Sequence, residues 1–263
     1  MFEEPTLEYV DSNDIPNVEL LPVLKKKQEM LARICKHFFT IGLDRGMSKN
    51  APLRGFLLQG APGTGKTELV KQVYRQVNGW LGESVLFAII DGSDIAAARW
   101  GDAEEKMKRI FSAADGNDPP KKKILLFDDI DCFMMGRSAV IAQEWHFSMN
   151  AIFFHQLDRI NPSETFVFAT TNRPDLVDDA LHSRLYALHV DPMNVNELMT
   201  VVDQMLDATG VRKGELRTEV RTTIQKELQG LEKGKGGRES GPTVRDARQI
   251  TIFSCIERGL WSK

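Results

Sequence analysis

The sequence has few features that would place it outside the cell or in a membrane. Its 263 residues include only three cysteines, Cys35, Cys132 and Cys255, and the five histidines have no ligand spacing with them. Cysteines that are odd in number and far apart are typical of reduced intracellular thiols, not of a disulfide framework or a zinc site. No apolar stretch approaches the roughly 20 residues of a membrane span. No apolar run follows the acidic first residues, so we expect no signal peptide and a soluble cytoplasmic protein.

A strong charge of one sign is also missing. The net charge is −3, with 27% charged and 42% hydrophobic residues, which favours a globular chain with a sizeable core. Such a balance gives no general attraction to nucleic acid or to a membrane surface, and only a local basic patch could supply one. We therefore expect neither as a partner. The length corresponds to about two domains.

The most specific motif lies at residues 60–67, which match G-x-x-x-x-G-K-[ST] at every fixed position. An apolar run at 55–59 predicts a buried strand before it, and helical spacing at 68–74 predicts a helix after it, so a chance glycine-rich turn is disfavoured. We expect the loop N–H groups and the helix N-terminus to bind a phosphate chain. Lys66 would reach the β- and γ-phosphates, and Thr67 would ligate Mg²⁺. The predicted nucleotide-binding residues here are Gly60, Ala61, Pro62, Gly63, Thr64, Gly65, Lys66, Thr67 and Glu68.

Strand and helix patterns alternate along most of the chain. This alternation predicts an α/β fold with a parallel sheet covered by helices on both faces. The expected strands are 55–59, 85–90, 123–128, 165–171 and 187–190, and three helices follow at 194–208, 214–230 and 243–259. We predict an extended lead-in at 1–20, a large nucleotide-binding domain at 21–192 and a small helical domain at 193–263.

The third predicted strand ends in two carboxylates, Asp128 and Asp129. We expect it to lie next to the strand that precedes the phosphate loop, which would bring Asp128 close to Mg²⁺, with a water molecule between them. Asp129 would then stand where a base orients or deprotonates the attacking water. The alternative is an acidic strand-to-loop turn, which the position about 60 residues after the phosphate loop disfavours.

Two further residues give weaker signals. Asn172 ends the fourth predicted strand, where ligands bind in such sheets, and could hold the water or contact the γ-phosphate. Asn-x-Pro is equally common in ordinary turns. Arg184 precedes the fifth strand and could reach the phosphate of a neighbouring subunit as an arginine finger. A plain surface arginine is the simpler interpretation from the sequence alone.

Together these segments resemble the AAA family of ATPases, within the wider AAA+ class, over roughly residues 40–260. Residues 54–67 resemble its Walker A segment, 127–131 its Walker B segment, and 169–175 the first part of its second region of homology, with Asn172 at sensor 1. The resemblance implies a P-loop NTPase fold with a five-stranded parallel sheet and a C-terminal helical lid. It also implies a ring, usually hexameric, that binds ATP with Mg²⁺ between subunits.

The chain departs from the family pattern at the residue predicted to be the catalytic base. Asp129 stands where the family usually has Glu, and its carboxylate reaches about 1.5 Å less far. Either the backbone has moved in to compensate or turnover is slow. We favour slow turnover, and from the sequence we expect Asp129→Glu to raise kcat.

Three other departures concern arginines and a tryptophan. Only Arg184 remains where many members have Arg-Pro-Gly-Arg, as in members with a single Ser-Arg. Trp100 is displaced by one position from the pore-loop aromatic, so a pore role competes with a packed tryptophan. Arg245 lies at the position of the sensor 2 arginine in a segment, 243–247, that resembles this part of the lid. Arg248, one turn on, is its competitor.

These observations favour a ring-forming, Mg²⁺-dependent ATPase that remodels or threads a protein substrate or complex of unknown identity. Two alternatives stay open. One is a nucleic-acid motor or loader of the wider class, and the other is a slow ATP-dependent assembly switch without threading.

Overall fold

A computed structural model describes residues 7–42, 53–96, 102–112, 121–136, 144–209, 211, 214–233 and 241–260. The chain divides into two compact units. One comprises Met1–Gln59 and Lys66–His189, and the other comprises Gly60–Gly65 and Val190–Lys263. The residues of the phosphate-loop motif that precede Lys66 therefore group with the C-terminal helices.

The first unit is built on a sheet of five parallel strands in the order β2-β3-β4-β1-β5. This confirms the predicted α/β fold. The expectation that the strand ending in Asp128 would neighbour the strand before the phosphate loop is wrong, because β4 lies between them. The strands are β1 (Gly55–Gln59), β2 (Val85–Asp91), β3 (Lys122–Asp128), β4 (Thr165–Thr171) and β5 (Tyr186–His189).

Helices cover this sheet and connect its strands. They are α1 (Pro22–Ile41), α2 (Lys66–Trp80), α3 (Gly92–Ala96), α4 (Asp102–Ser112) and α5 (Glu144–Arg159). Helix α1 begins with a proline at its first position, where the missing N–H costs no hydrogen bond. Short 3₁₀ turns at Ile130–Cys132 and Asp179–Leu181 follow β3 and precede β5.

Aromatic residues fill the core on both sides of the sheet. Tyr74 of α2 stacks on Phe87 of β2 with ring centroids 4.5 Å apart. Phe127 of β3 meets Phe153 of α5 edge to face at 5.0 Å, and Phe133 joins the same cluster. The residues of β3 just before Asp128 are fully buried. Their packing therefore fixes the position of the Asp128 carboxylate at the end of the strand.

The described part of the N-terminal lead-in packs within the first unit, against β2 and α2. The N–H of Val10 donates to the carbonyl of Phe87 at 2.7 Å, and Arg75 donates to the carbonyl of Ser12 at 2.7 Å. Ile15 is 3% exposed, so this segment buries apolar surface instead of extending into solvent.

Three helices form the second unit: α6 (Val195–Ala208), α7 (Glu215–Glu232) and α8 (Val244–Glu257). Helices α6 and α8 each begin with a capping box, formed by Asn194 with Glu197 and by Thr243 with Asp246. No helix in the described ranges is both long enough and apolar enough to cross a membrane.

Candidate active site

The end of β3 and the start of α2 share a hydrogen bond. Thr67 Oγ1 donates to Asp128 Oδ1 at 2.8 Å. Thr170, at the end of β4, donates its hydroxyl to the same carboxylate oxygen at 2.5 Å. A hydroxyl and a carboxylate brought together in this way are the oxygen ligands that Mg²⁺ prefers in proteins. Strand β4 thus supplies Thr170 as a second hydroxyl donor to Asp128.

A second chain of hydrogen bonds runs across the same ends of the strands. Lys66 Nζ donates to Asn172 Oδ1 at 2.7 Å, and Asn172 Nδ2 donates to Asp129 Oδ1 at 2.7 Å. The Asn172 amide therefore links the cation of the motif to the predicted base. Three residues that are far apart in sequence are in direct contact.

Asp129 has an uncommon backbone conformation. Its φ and ψ are 51° and 54°, in the left-handed region, where Asp and Asn are several-fold enriched among residues other than glycine. Its N–H donates to Thr170 Oγ1 at 3.0 Å. With this backbone conformation, the Asp129 carboxylate accepts the hydrogen bond from Asn172.

Asp131 holds the end of β4 in place. Its Oδ1 accepts the hydroxyl of Thr171 at 2.6 Å and the N–H of Asn172 at 3.3 Å. Thr171 is fully buried. Asp131 thus fixes the backbone that presents the Asn172 amide.

The carboxylates affect one another and the lysine. Burial, and then the neighbouring charges of Asp128 and Asp131, raise the pKa of the Asp129 carboxyl above its ordinary value. Burial lowers the pKa of the Lys66 ammonium, and the carboxylates of Asp129 and Asp128 oppose that change. A carboxyl with a raised pKa, hydrogen-bonded at the end of a strand, is suited to general base chemistry.

The glycine-rich loop lies in the second unit, against the start of α8. Gly63 has φ of 78°, and a Cβ built on it would come 2.9 Å from Thr243 Cβ. Only glycine combines this backbone angle with such a close approach. Arg245, in the first turn of the same helix, is exposed. The loop and the segment that carries Arg245 are therefore neighbours within this unit.

These features fit a nucleoside triphosphate and Mg²⁺. Positive φ angles at Gly63 and Gly65 give the loop the irregular backbone of a phosphate-binding turn. The motif continues directly into α2, whose second residue, Thr67, pairs with Asp128. In the first unit, Thr67 and Asp128 would hold the metal and Lys66 would bind a phosphate oxygen.

Arg184 lies away from this group. It donates Nε and Nη2 to the two carboxylate oxygens of Asp158 at 3.0 and 2.9 Å, and its guanidinium lies 4.6 Å from the ring centroid of Phe154. Its side chain is 25% exposed. Within one copy of the chain, Arg184 is paired with α5 and contacts none of the residues around Asp128.

The other predicted residues have different surroundings. Glu68 accepts a hydrogen bond from Gln72 one turn along α2, at 2.7 Å. Arg248, the alternative to Arg245, is exposed on the same helix. Trp100 lies outside the described residues.

A parallel five-stranded sheet with a phosphate-loop motif and an acidic strand end defines a P-loop nucleotide-binding protein. The family model "ATPase family associated with various cellular activities (AAA)" matches residues 56–190. The chain belongs to this family. The members of this family are described as ATPases.

The relatives that this chain matches are much longer than the chain, which spans between 9% and 36% of the three described here. The cell division cycle protein 48 homolog of Archaeoglobus fulgidus is 32% identical over 162 residues, which are 60% of this chain and 20% of that protein. Fidgetin-like protein 1 of Drosophila melanogaster is 29% identical over 206 residues, 77% of this chain and 36% of that protein. The ATPase histone chaperone YTA7 of Saccharomyces cerevisiae is 32% identical over 131 residues, 49% of this chain and 9% of that protein.

A solved structure shares the fold. A chain of the E. coli MS115-1 HORMA:CdnC:Trip13 complex superposes with a TM-score of 0.69, covering 92% of this chain and 86% of that one. The two sequences are 20% identical, so the similarity establishes the fold alone.

Three polar residues at the site were not selected from the sequence: Asp131, Thr170 and Thr171. The signal for the threonines was available, since they directly precede Asn172 at the end of an apolar strand. Asp158, the partner of Arg184, carried no local signal because it is 26 residues away.

Proposed function

We propose that this chain is a Mg²⁺-dependent ATPase that works in a ring, most simply a hexamer, and remodels or threads protein substrates or complexes. The observation that carries the proposal is the meeting of Lys66, Asn172 and Asp129 beside the Thr67–Asp128 pair. Two short chains of hydrogen bonds thus connect the residues to which we assign the roles of cation, base and metal ligands.

Each side chain has a separate task in this proposal. Lys66 binds the β- and γ-phosphate oxygens, and Thr67 and Asp128 hold the metal. Mg²⁺, when bound, neutralises charge on the phosphate oxygens. Asp129 accepts the proton of the attacking water. Asn172 orients that water relative to the Asp129 carboxylate, to which it donates a hydrogen bond. Arg245, on the helix that contacts Gly63, senses the nucleotide from the lid.

The ring is proposed on Arg184. Because the described contacts of its side chain within one copy are to Asp158 and other residues outside the Asp128 group, we propose that it acts on the nucleotide of a neighbouring copy. The ion pair with Asp158 does not prevent this, because Asp158 is 46% exposed and a phosphate can also accept two hydrogen bonds from a guanidinium. A phosphate of the adjacent subunit would compete successfully for the guanidinium.

Arg184→Ala should therefore bind ATP normally and hydrolyse it slowly. We expect kcat to fall by up to ~10³-fold, which is the lower end of the range for an arginine finger. Mixing it with Asp129→Asn subunits should restore part of the activity, since a finger and a base from different chains complete one site. The measurement is phosphate release from mixed rings whose composition is verified by mass. Mixed rings without any recovery would contradict action between subunits.

The alternatives differ in what they bind. A nucleic-acid motor or loader needs a basic surface, and the chain has only short basic segments, at 25–27, 121–123 and 233–238, with a net charge of −3. Salt-dependent DNA binding would favour it. A slow assembly switch would show no work on a substrate. Among the relatives, a histone chaperone by name agrees with a protein substrate.

Threading makes a prediction about Trp100. Trp100→Ala should leave basal ATP hydrolysis nearly intact and abolish substrate-stimulated hydrolysis with an unfolded model protein. If Trp100 is a core residue, the substitution should instead cost about 3–5 kcal/mol of stability. A thermal melt recorded beside the ATPase assay separates the two, and a large fall in the midpoint would contradict the pore role.

We propose a cytoplasmic location from the state of the cysteines. Cys35, Cys132 and Cys255 are free thiols. Free thiols are typical of a reducing compartment, which supports a cytoplasmic protein.

A further inference from the structure

The turn that follows β2 lies directly against the predicted base. Asp91 ends β2 and is the register partner of Asp128 on β3. The next residue, Gly92, begins α3. A Cβ built on Gly92 would lie 2.3 Å from the carbonyl oxygen of Asp129 and 2.9 Å from that of Asp128. Real Cβ atoms essentially never approach another atom within 3.0 Å, so the present geometry excludes every other residue at position 92.

The Asp129 carbonyl is held from several directions. It accepts the N–H of Cys132 at 3.0 Å, which closes the 3₁₀ turn after β3. The Asp129 N–H is bonded to Thr170, and the next side chain, Ile130, is fully buried. The atoms that a methyl group would meet are therefore constrained backbone, not the mobile end of a side chain.

Hydrogen bonds within the turn also fix its conformation. Asp91 Oδ1 accepts the N–H of Ser93 at 2.8 Å and its hydroxyl at 2.6 Å. These two bonds fix the backbone on both sides of Gly92. The backbone around Gly92 therefore cannot easily change its shape to accommodate a side chain without breaking them.

We propose that Gly92 is a positioning residue for ATP hydrolysis, because its missing side chain lets the Asp129 peptide adopt the left-handed conformation that aims the carboxylate at Asn172. The proposal rests on the proposed function, in which Asp129 is the base. Relief of a 2.3 Å contact to an ordinary separation needs a movement of about 1 Å. A misplacement of about 1 Å in a catalytic group costs ~10²-fold in rate.

The test is Gly92→Ala in the full chain, with ATP binding measured by calorimetry and hydrolysis by phosphate release. We expect kcat to fall by ~10–100-fold, with the Kd for ATP within about threefold of the parent, since Lys66 and Thr67 stay in place. The matched control is Gly79→Ala. Gly79 is exposed on α2, and a Cβ there would meet nothing within 4 Å, so kcat should stay parental. An unchanged kcat in Gly92→Ala overturns the proposal.

A double-mutant cycle separates positioning from a general structural effect. In an Asp129→Asn background the base is already lost, so Gly92→Ala should reduce single-turnover hydrolysis by less than about threefold. If the two losses instead multiply, Gly92 does not act through Asp129.

A second variant keeps the proposal testable if Gly92→Ala does not fold. Ser93→Ala removes one of the two bonds that hold the turn and should lower kcat by several-fold with ATP affinity unchanged. A parental kcat in Ser93→Ala would then overturn the proposal. If the parent chain binds but never hydrolyses ATP in any assembled state, the proposed function fails first. If the parent hydrolyses ATP and the Gly92 and Ser93 variants do so equally well, only the positioning role fails.

Discussion

Lys66→Ala should lose tight ATP binding. The ammonium is the only side-chain cation within the described hydrogen-bond network around Asn172 and Asp129. Hydrogen bonds to charged groups contribute about 1.5–3 kcal/mol each. Loss of the contacts to the β- and γ-phosphates should therefore weaken ATP binding by at least ~10–100-fold. Isothermal titration calorimetry with ATP and Mg²⁺ is the measurement.

The control for this variant is Lys71→Ala on the same helix. Lys71 is half-buried on α2, five residues beyond Lys66, and lies outside the network. It tests the loss of one lysine without the loss of the predicted phosphate contact, and its affinity should be parental. Equal ATP affinity in Lys66→Ala and the parent would contradict the assignment of the phosphate site.

Asp129→Asn should bind ATP and stall. The amide preserves the size of the side chain but cannot accept the proton of the attacking water. A positioned general base contributes typically 10²–10⁴-fold, so kcat should fall by ~10²–10⁴-fold with little change in KM. ATP-loaded assemblies of this variant should be stable enough to isolate with bound substrate. A variant that turns over at half the parental rate or more would show that another group is the base.

The structure changes the expectation for Asp129→Glu. From the sequence, the shorter acid suggested a weak base and a gain in kcat on lengthening it. In the structure Asp129 has a left-handed backbone, and its carboxylate already accepts a hydrogen bond from Asn172 at 2.7 Å. Asp tolerates this conformation better than Glu, and a longer side chain would overreach the amide. We now expect Asp129→Glu to be slower than the parent, and steady-state kinetics showing a faster enzyme would restore the weak-base hypothesis.

The strands and the phosphate-loop motif could be read from the sequence because their signals are local. Apolar runs at 55–59 and 165–171 gave β1 and β4 with their observed bounds. The motif needed only the order of its own residues. The family resemblance, which rests on three such local segments, is confirmed by the match over residues 56–190.

Strand order and backbone angles could not be read in the same way. The position of β4 between β3 and β1 depends on which apolar faces pack best, and the wrong neighbour was predicted for β3. The left-handed angle at Asp129 depends on the 3₁₀ turn after β3 and on Gly92 of another element. The Arg184–Asp158 pair joins residues 26 positions apart without a pattern in either segment. Such features arise from tertiary packing and leave no periodicity.

The central claim is that Lys66, Asp129 and their partners form one site for Mg²⁺-dependent ATP hydrolysis. ATP binding and single-turnover phosphate release, measured side by side on the parent, Lys66→Ala and Asp129→Asn, test it most directly. The account predicts that the parent binds and hydrolyses ATP with Mg²⁺ and stops in EDTA, that Asp129→Asn only binds, and that Lys66→Ala does neither. Hydrolysis by Lys66→Ala at the parental rate, or by the parent in EDTA, would contradict it.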